Sequence, residues 1–275
     1  MVSYTNRIII FALARTASTS IMNMLNVHKS IYAISEPLNV LNKDFIMELG
    51  FEGICEKEIS KFSELDEALG KIFLQFNLVK HVWHPSGFPF IESDPGYAFN
   101  KTFSINDYLL SKFDFVVFLK RRNILKRLVS SLMSMQSGIW DSYTTEVSRK
   151  PEEFTYKPLN TEVIEWHLKN ERVYEDYFRN TLKSNKVKYV EIFQEDIYNS
   201  NLSAEEKFQK FFDLSDFLEL PRNYNHDQTM VLGDYLYSKK HKQNSLESYK
   251  KVPNIEEIEE TFGSEETGWI FKKDS

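Results

Sequence analysis

The chain reads as an α/β protein whose parallel sheet is flanked by helices, and three features point there. The runs Ile8-Ile9-Ile10-Phe11-Ala12-Leu13 and Phe115-Val116-Val117-Phe118-Leu119 hold no polar residue, as strands buried on both faces do. Each leads through a short polar turn into an amphipathic helix. Strand-type and helix-type segments alternate along the sequence, the pattern of a parallel sheet with helices on both faces.

The elements follow in order. A strand over Arg7–Leu13 ends in Ala14-Arg15-Thr16-Ala17-Ser18-Thr19-Ser20. A helix over Ser20–Asn26 comes next, with Ile21, Met22, Met24 and Leu25 as its apolar face, and Ser18 or Thr19 is placed to cap it. Ile31–Ile34 is a short strand, and helices run from there through Phe76. Leu78–Trp83 is a strand, followed by a Pro/Gly-rich loop at Pro85–Gly96 and a helix near Ile105–Ser111. The Asp114–Leu119 strand and a helix over Ile124–Met135 come next. The polar stretch Asp141–Asn160 suits a lid or insertion. A long helix over Thr161–Lys183 puts Val163, Trp166, Val173 and Tyr177 on one stripe. Val187–Phe193 is the last strand, and the C-terminal third beyond it is mostly helical. Residues 1–275 are expected to form a single domain, with no internal repeat.

Composition narrows the class. Apolar residues make up 42% of the chain and charged ones 27%, which is globular and not disordered. The 22 Phe and 14 Tyr suffice for a large core and an apolar cleft. A net charge of −6 argues against general nucleic-acid binding, so the cations at Arg15, Lys120–Arg127 and Lys239–Lys242 are local features of an acidic body. Cys55 is the only cysteine; it has no intrachain partner and suits a reducing cytoplasm, the expected location. No apolar segment approaches the eighteen or more residues of a membrane span. His81, His84 and Cys55 have no four-ligand spacing, so no metal is expected.

Two stretches carry chemistry. The first turn of a helix presents N–H groups and the positive end of its dipole. With the hydroxyls of Thr16, Ser18, Thr19 and Ser20 and the charge of Arg15, the first loop makes a socket for an oxyanion on a nucleotide. Taken alone, the same stretch is the first strand and capped helix of any α/β protein. It is no Walker A loop, for it has neither the glycines nor the lysine, and it is no G-x-G-x-x-G turn. In the second stretch, Lys120-Arg121-Arg122-Asn123 stands at the carboxyl end of a buried strand, where open α/β sheets bind ligands. Ser130 follows Arg122 by eight residues. Arg offers a planar fork to phosphate and Ser a hydroxyl. Cations at a helix start oppose its dipole, which calls for an anion nearby.

These motifs resemble those of the sulfotransferases that use 3′-phosphoadenosine 5′-phosphosulfate (PAPS). Arg15-Thr16-Ala17-Ser18-Thr19-Ser20 is similar to their 5′-phosphosulfate loop, R-[ST]-G-[ST]-[ST]. Arg122 and Ser130 match the 3′-phosphate motif. Arg121-Arg122-Asn123, Val129-Ser130-Ser131-Leu132 and Gln136-Ser137-Gly138-Ile139-Trp140 look most like the bacterial trehalose-type and nodulation-factor-type branch, with its R-R-D, A-V-S-L and Q-T-G-V-W. Lys188-Tyr189-Val190-Glu191-Ile192 with Glu195-Asp196 resembles that branch's strand and Y-E-D-L segment, so the likeness covers roughly Arg7 to Asn199. One departure is Ala17 in place of the loop glycine. Alanine disfavours φ > 0, so this turn must be right-handed there or slightly strained.

The resemblance implies a P-loop-like sulfotransferase fold, PAPS as donor co-substrate, no metal, and a hydroxyl acceptor on a carbohydrate, glycolipid or other small alcohol. The oligomeric state is not legible. Arg15 with Thr16, Ala17, Ser18, Thr19 and Ser20 would grip the 5′-phosphosulfate, and Arg122 with Ser130 the 3′-phosphate. Lys240, in the basic Lys239–Lys242 loop, would close over that phosphate. The branch takes an acidic residue as base; Glu36, in Ile34-Ser35-Glu36-Pro37, is the first candidate, and a loop carboxylate capping the next helix is the plain alternative. In the animal cytosolic relatives a strand carries Lys and, two residues on, the catalytic His. Here Val82 stands two after Lys80, which leaves His84, or His81, as the rival base. Trp83, Phe88, Phe90 and Trp140 could stack on a sugar or hold a lipid. Two other classes fit less well: a nucleotide-dependent phosphoryl-transfer enzyme, and a catalytically silent nucleotide-binding interaction protein.

Overall fold

The computed structural model describes residues 6–48, 59–85, 89–90, 105–140, 154–199, 201–237 and 246–272. Five strands form one all-parallel sheet: β1 (Ile8–Ala12), β2 (Ala33–Ser35), β3 (Leu78–Val82), β4 (Phe115–Lys120) and β5 (Lys188–Phe193), in the order β2-β3-β1-β4-β5. The helices are α1 (Ser18–Asn26), α2 (Lys43–Glu48) after a 3₁₀ turn at Val40–Asn42, α3 (Phe62–Ile72), α4 (Ile124–Ser137), α5 (Thr161–Ser184), α6 (Gln194–Tyr198), α7 (Ala204–Phe217), α8 (His226–Tyr237), α9 (Leu246–Tyr249) and α10 (Ile255–Phe262). Residues 105–110 are also helical. The α/β class and the sequence order of elements match the expectation, with ends displaced by up to four residues. Among the described residues, no helix is long and apolar enough to cross a membrane.

The chain packs as two compact units. The first, residues 1–120 and 174–236, holds the sheet. Side chains alternate across it, so the apolar run of β1 divides in two: Ile9, Phe11 and Leu13 pack with α3, residues 105–110 and the Tyr174–Leu182 part of α5. Ile8, Ile10 and Ala12 face α1, α7 and α8. Burial on both sides explains why no polar residue interrupts the strand. Ile21 and Leu25 of α1 are wholly buried, each worth about 1.5–3 kcal/mol against exposure. Helix α7 starts on a capping box, with the Glu206 amide donating to the Ser203 hydroxyl and the Ser203 amide to the Glu206 carboxylate.

The connection after β1 runs through α1 on one face, while the connection after β4 returns through α5 on the other. The chain therefore diverges between β1 and β4, and in open α/β sheets such a divergence opens a crevice at the strands' carboxyl ends.

The second unit, residues 121–173 and 237–275, has its own core of Leu125, Leu128, Val129, Ile164, Tyr249, Ile255, Ile258 and Ile270, among others. Asn123 caps α4 by accepting from the Lys126 amide at 2.9 Å and donates to the Trp269 carbonyl at 2.8 Å. Gly268, at φ 85°, lies so close to Asn123 that a Cβ there would sit 2.4 Å from its Cγ. A side chain at 268 would push the cap off α4.

The stripe expected on α5 is one step out of place. Trp166, Val173 and Tyr177 are exposed, and the buried line is Ile164, His167, Glu171, Tyr174, Phe178 and Leu182. Two polar residues stand on the buried line, so a hydropathy pattern passes over it and selects the neighbouring one.

Candidate active site

The turn after β1 is built on strained backbone. Arg15 has φ 66° and Ala17 φ 63°, both left-handed, on either side of the wholly buried Thr16. Thr16 donates its hydroxyl proton to the Leu13 carbonyl at 2.9 Å, closing the turn from inside. Of the two outcomes open for Ala17, strain is the one found; a left-handed non-glycine residue costs about 1–2 kcal/mol. Such strain persists only where surrounding structure holds it, and it clusters at ligand sites. The capping expectation is corrected: Ala17 is the N-cap, without a side-chain bond, and Ser18 already belongs to α1. Ser18 is buried, while Arg15, Thr19 and Ser20 are half-buried. Because Ala17 turns left, the helix starts earlier than expected, and the Thr19 hydroxyl does other work.

That work involves Lys80 of β3, which in the sequence serves only as the landmark for a strand histidine. Lys80 pairs in register with Ile10 of β1 and Ser35 of β2, and only 5% of it is exposed. Its ammonium donates to the Thr19 hydroxyl at 2.9 Å and meets Glu36 Oε1 at 2.7 Å. Glu36 stands directly after β2, its amide donating to the Lys80 carbonyl at 2.8 Å. A cation thus joins the first helix's hydroxyl to the expected base. The sequence signals for Lys80 are a charge inside a largely apolar strand and the strand lysine of the resembled relatives.

The histidines separate. His81 points to the other face of the sheet, stacked between Phe11 and Phe90, with Nε2 3.1 Å from Asn106 Oδ1. Burial pushes its imidazole down to about 4, against the opposing pull of the Asn106 hydrogen bond and the Glu36 charge. It is a neutral core residue near pH 7. His84 is half-buried, just past the wholly buried Trp83.

No family model, no curated protein and no solved structure matches this chain.

Arg122 and Ser130 belong to the second unit. Arg122 is exposed, immediately before the Asn123 cap, and Ser130 is buried two turns into α4. The argument from opposed cations needs correcting in part, because the protein supplies carboxylates of its own. Lys120, the last residue of β4, meets Glu175 at 2.7 Å and Glu191 at 3.6 Å. Arg127 is paired with the buried Glu171, which also lies 2.8 Å from His167 Nδ1. Burial alone raises the Glu171 carboxyl, but Arg127 and His167 bring it below the usual range. Lys240, Cys55, Phe88 and most of the two long loops lie outside the described residues.

Proposed function

We propose that the chain is a sulfotransferase, moving a sulfuryl group from PAPS to a hydroxyl of a carbohydrate, glycolipid or other small alcohol. The observation that carries this reading is the cluster in which Lys80 joins Glu36 to Thr19, beside the left-handed turn of Arg15 and Ala17. A carboxylate, a cation and a helix start meet at the carboxyl edge of the sheet, with the base candidate beside the anion socket. In this reading the fold is of the P-loop-like sulfotransferase kind, which the position of β1 inside a parallel sheet supports.

The acceptor hydroxyl gives its proton to Glu36 as its oxygen attacks sulfur. The bond from sulfur to the bridging phosphate oxygen breaks in line, and adenosine 3′,5′-bisphosphate leaves with the electron pair. Arg15 and the amides of the first helical turn stabilise the charge that grows on the leaving phosphate. Arg122 and Ser130 take the 3′-phosphate, as the sequence pairing assigns, and Lys240 is proposed to close over it. The chain is proposed to work in the cytoplasm.

The test is transfer of labelled donor sulfate across a panel of sugars, glycolipids and alcohols, in chelator. Transfer to a hydroxyl is the expected result. Arg15→Ala lowers turnover severely, whereas Arg122→Ala weakens donor binding by about 1.5–3 kcal/mol, and Ser130→Ala less. The bisphosphate should raise the melting temperature far more than AMP does, since it binds the native state more tightly. Equal shifts for the two nucleotides remove the 3′-phosphate assignment. A requirement for Mg²⁺ with phosphoryl transfer replaces the whole reading.

A further inference from the structure

Glu36 is held at more points than a loop carboxylate needs. Its backbone is left-handed, at φ 48°, although the residue precedes Pro37 and is not glycine. Its carbonyl accepts from the Asn39 amide at 3.1 Å and from Asn42 Nδ2 at 3.2 Å. Its carboxylate is engaged at both oxygens: Lys80 sits on Oε1, and Asn39 Nδ2 donates to Oε2 at 3.1 Å.

Asn39 is buried, at 7% exposure, and its own amide can face only one way. Oδ1 accepts from the Leu41 N–H at 3.0 Å, and Nδ2 faces a carboxylate that can only accept. Turning the amide over would break both bonds. The loop 36–42 therefore closes on itself through Asn39 and presents one donor to one oxygen of Glu36.

We propose that Asn39 is the positioning residue for Glu36: with Lys80 on the other oxygen, it fixes the plane of the carboxylate, so that the remaining lone pairs meet the acceptor hydroxyl in one orientation. This rests on Glu36 being the base.

The experiment reads the Glu36 carboxyl by ¹³C NMR in the full chain at pH 7, together with kcat and donor KM. Asn39→Asp keeps the acceptor for the Leu41 amide while it exchanges the donor facing Glu36 for an acceptor. Asn39→Ala removes both. In Asn39→Ala the Glu36 carboxyl resonance should shift, and kcat at pH 7 should fall about tenfold with donor KM unchanged. Asn39→Asp, which also sets a second negative charge against Glu36, should lower kcat further. An unmoved resonance in Asn39→Ala overturns the proposal, and so does a loss that appears in donor KM instead of kcat. If the wild-type chain transfers no sulfuryl group, the sulfotransferase reading fails by itself. The carboxyl resonance then still decides whether Asn39 holds Glu36.

Discussion

Glu36 with Lys80, at the carboxyl edge of the sheet, and Glu171 with Arg127, between α4 and α5, are both carboxylate–cation pairs. Their settings differ. The Glu171 and Arg127 side chains are 3% and 4% exposed, sit on regular helices and are completed by His167. Glu36 is 22% exposed against 6% for Lys80, it stands on a left-handed residue, and Lys80 ties it to Thr19 just past the left-handed Arg15 and Ala17. The first pair is dry and saturated and fixes two helices against each other. The second keeps unused acceptor capacity, a route to solvent and a backbone strained into one shape. Chemical identity alone does not separate the two pairs; access and strain do.

The sharpest way to break this contrast is to neutralise each acid. Glu36→Gln should cut sulfuryl-transfer turnover by about 10²–10⁴, the usual cost of losing a general base, with donor affinity little changed. If His84→Ala gives that loss and Glu36→Gln does not, the base is His84 and the edge pair is structural after all. Glu171→Ala leaves Arg127 buried without its partner and should lower the unfolding free energy by about 3–5 kcal/mol in urea titrations. A loss below about 1 kcal/mol would make the buried pair no more structural than the exposed one.

His81 sharpens the contrast by pH. Its folded pKa, about 4, lies below the ordinary 6.5, so the unfolded chain binds a proton that the native state refuses. Its contribution is fully present above 6.5, falls as pH drops towards 4, and amounts to roughly 3 kcal/mol over that window. His81→Phe should flatten that part of the stability–pH curve; an unchanged slope would mean the imidazole is not the buried neutral group the stacking implies. The smallest effect is at Ala17. Glycine there relieves the left-handed strain but loosens the unfolded chain, so Ala17→Gly should stabilise by about 1 kcal/mol at most. A clear loss of stability in thermal unfolding would mean the turn is not strained.

Legibility followed burial. Strands β1 and β4 could be read because both faces are dry, which leaves an unbroken apolar run. The turn after β1 could be read because small and hydroxyl residues gather between a strand and an amphipathic helix. The buried line of α5 could not, since His167 and Glu171 look like surface residues until Arg127 is seen beside them. Asn39 gave no signal at all, being one of two asparagines in a loop.

The order of strands and helices was legible in the sequence itself, because hydrophobic period and turn chemistry are local; Glu36 entered as a candidate base through the family resemblance. Which cation meets Glu36 was settled only by tertiary structure. Lys80 is far away along the chain, and it reaches Glu36 because β2 docks beside β3, with Ser35 in register with Lys80. The same docking carries Thr19 to the other side of that ammonium through β1 and α1. Pairing across a parallel sheet depends on strand order and register, and neither is written in any one segment.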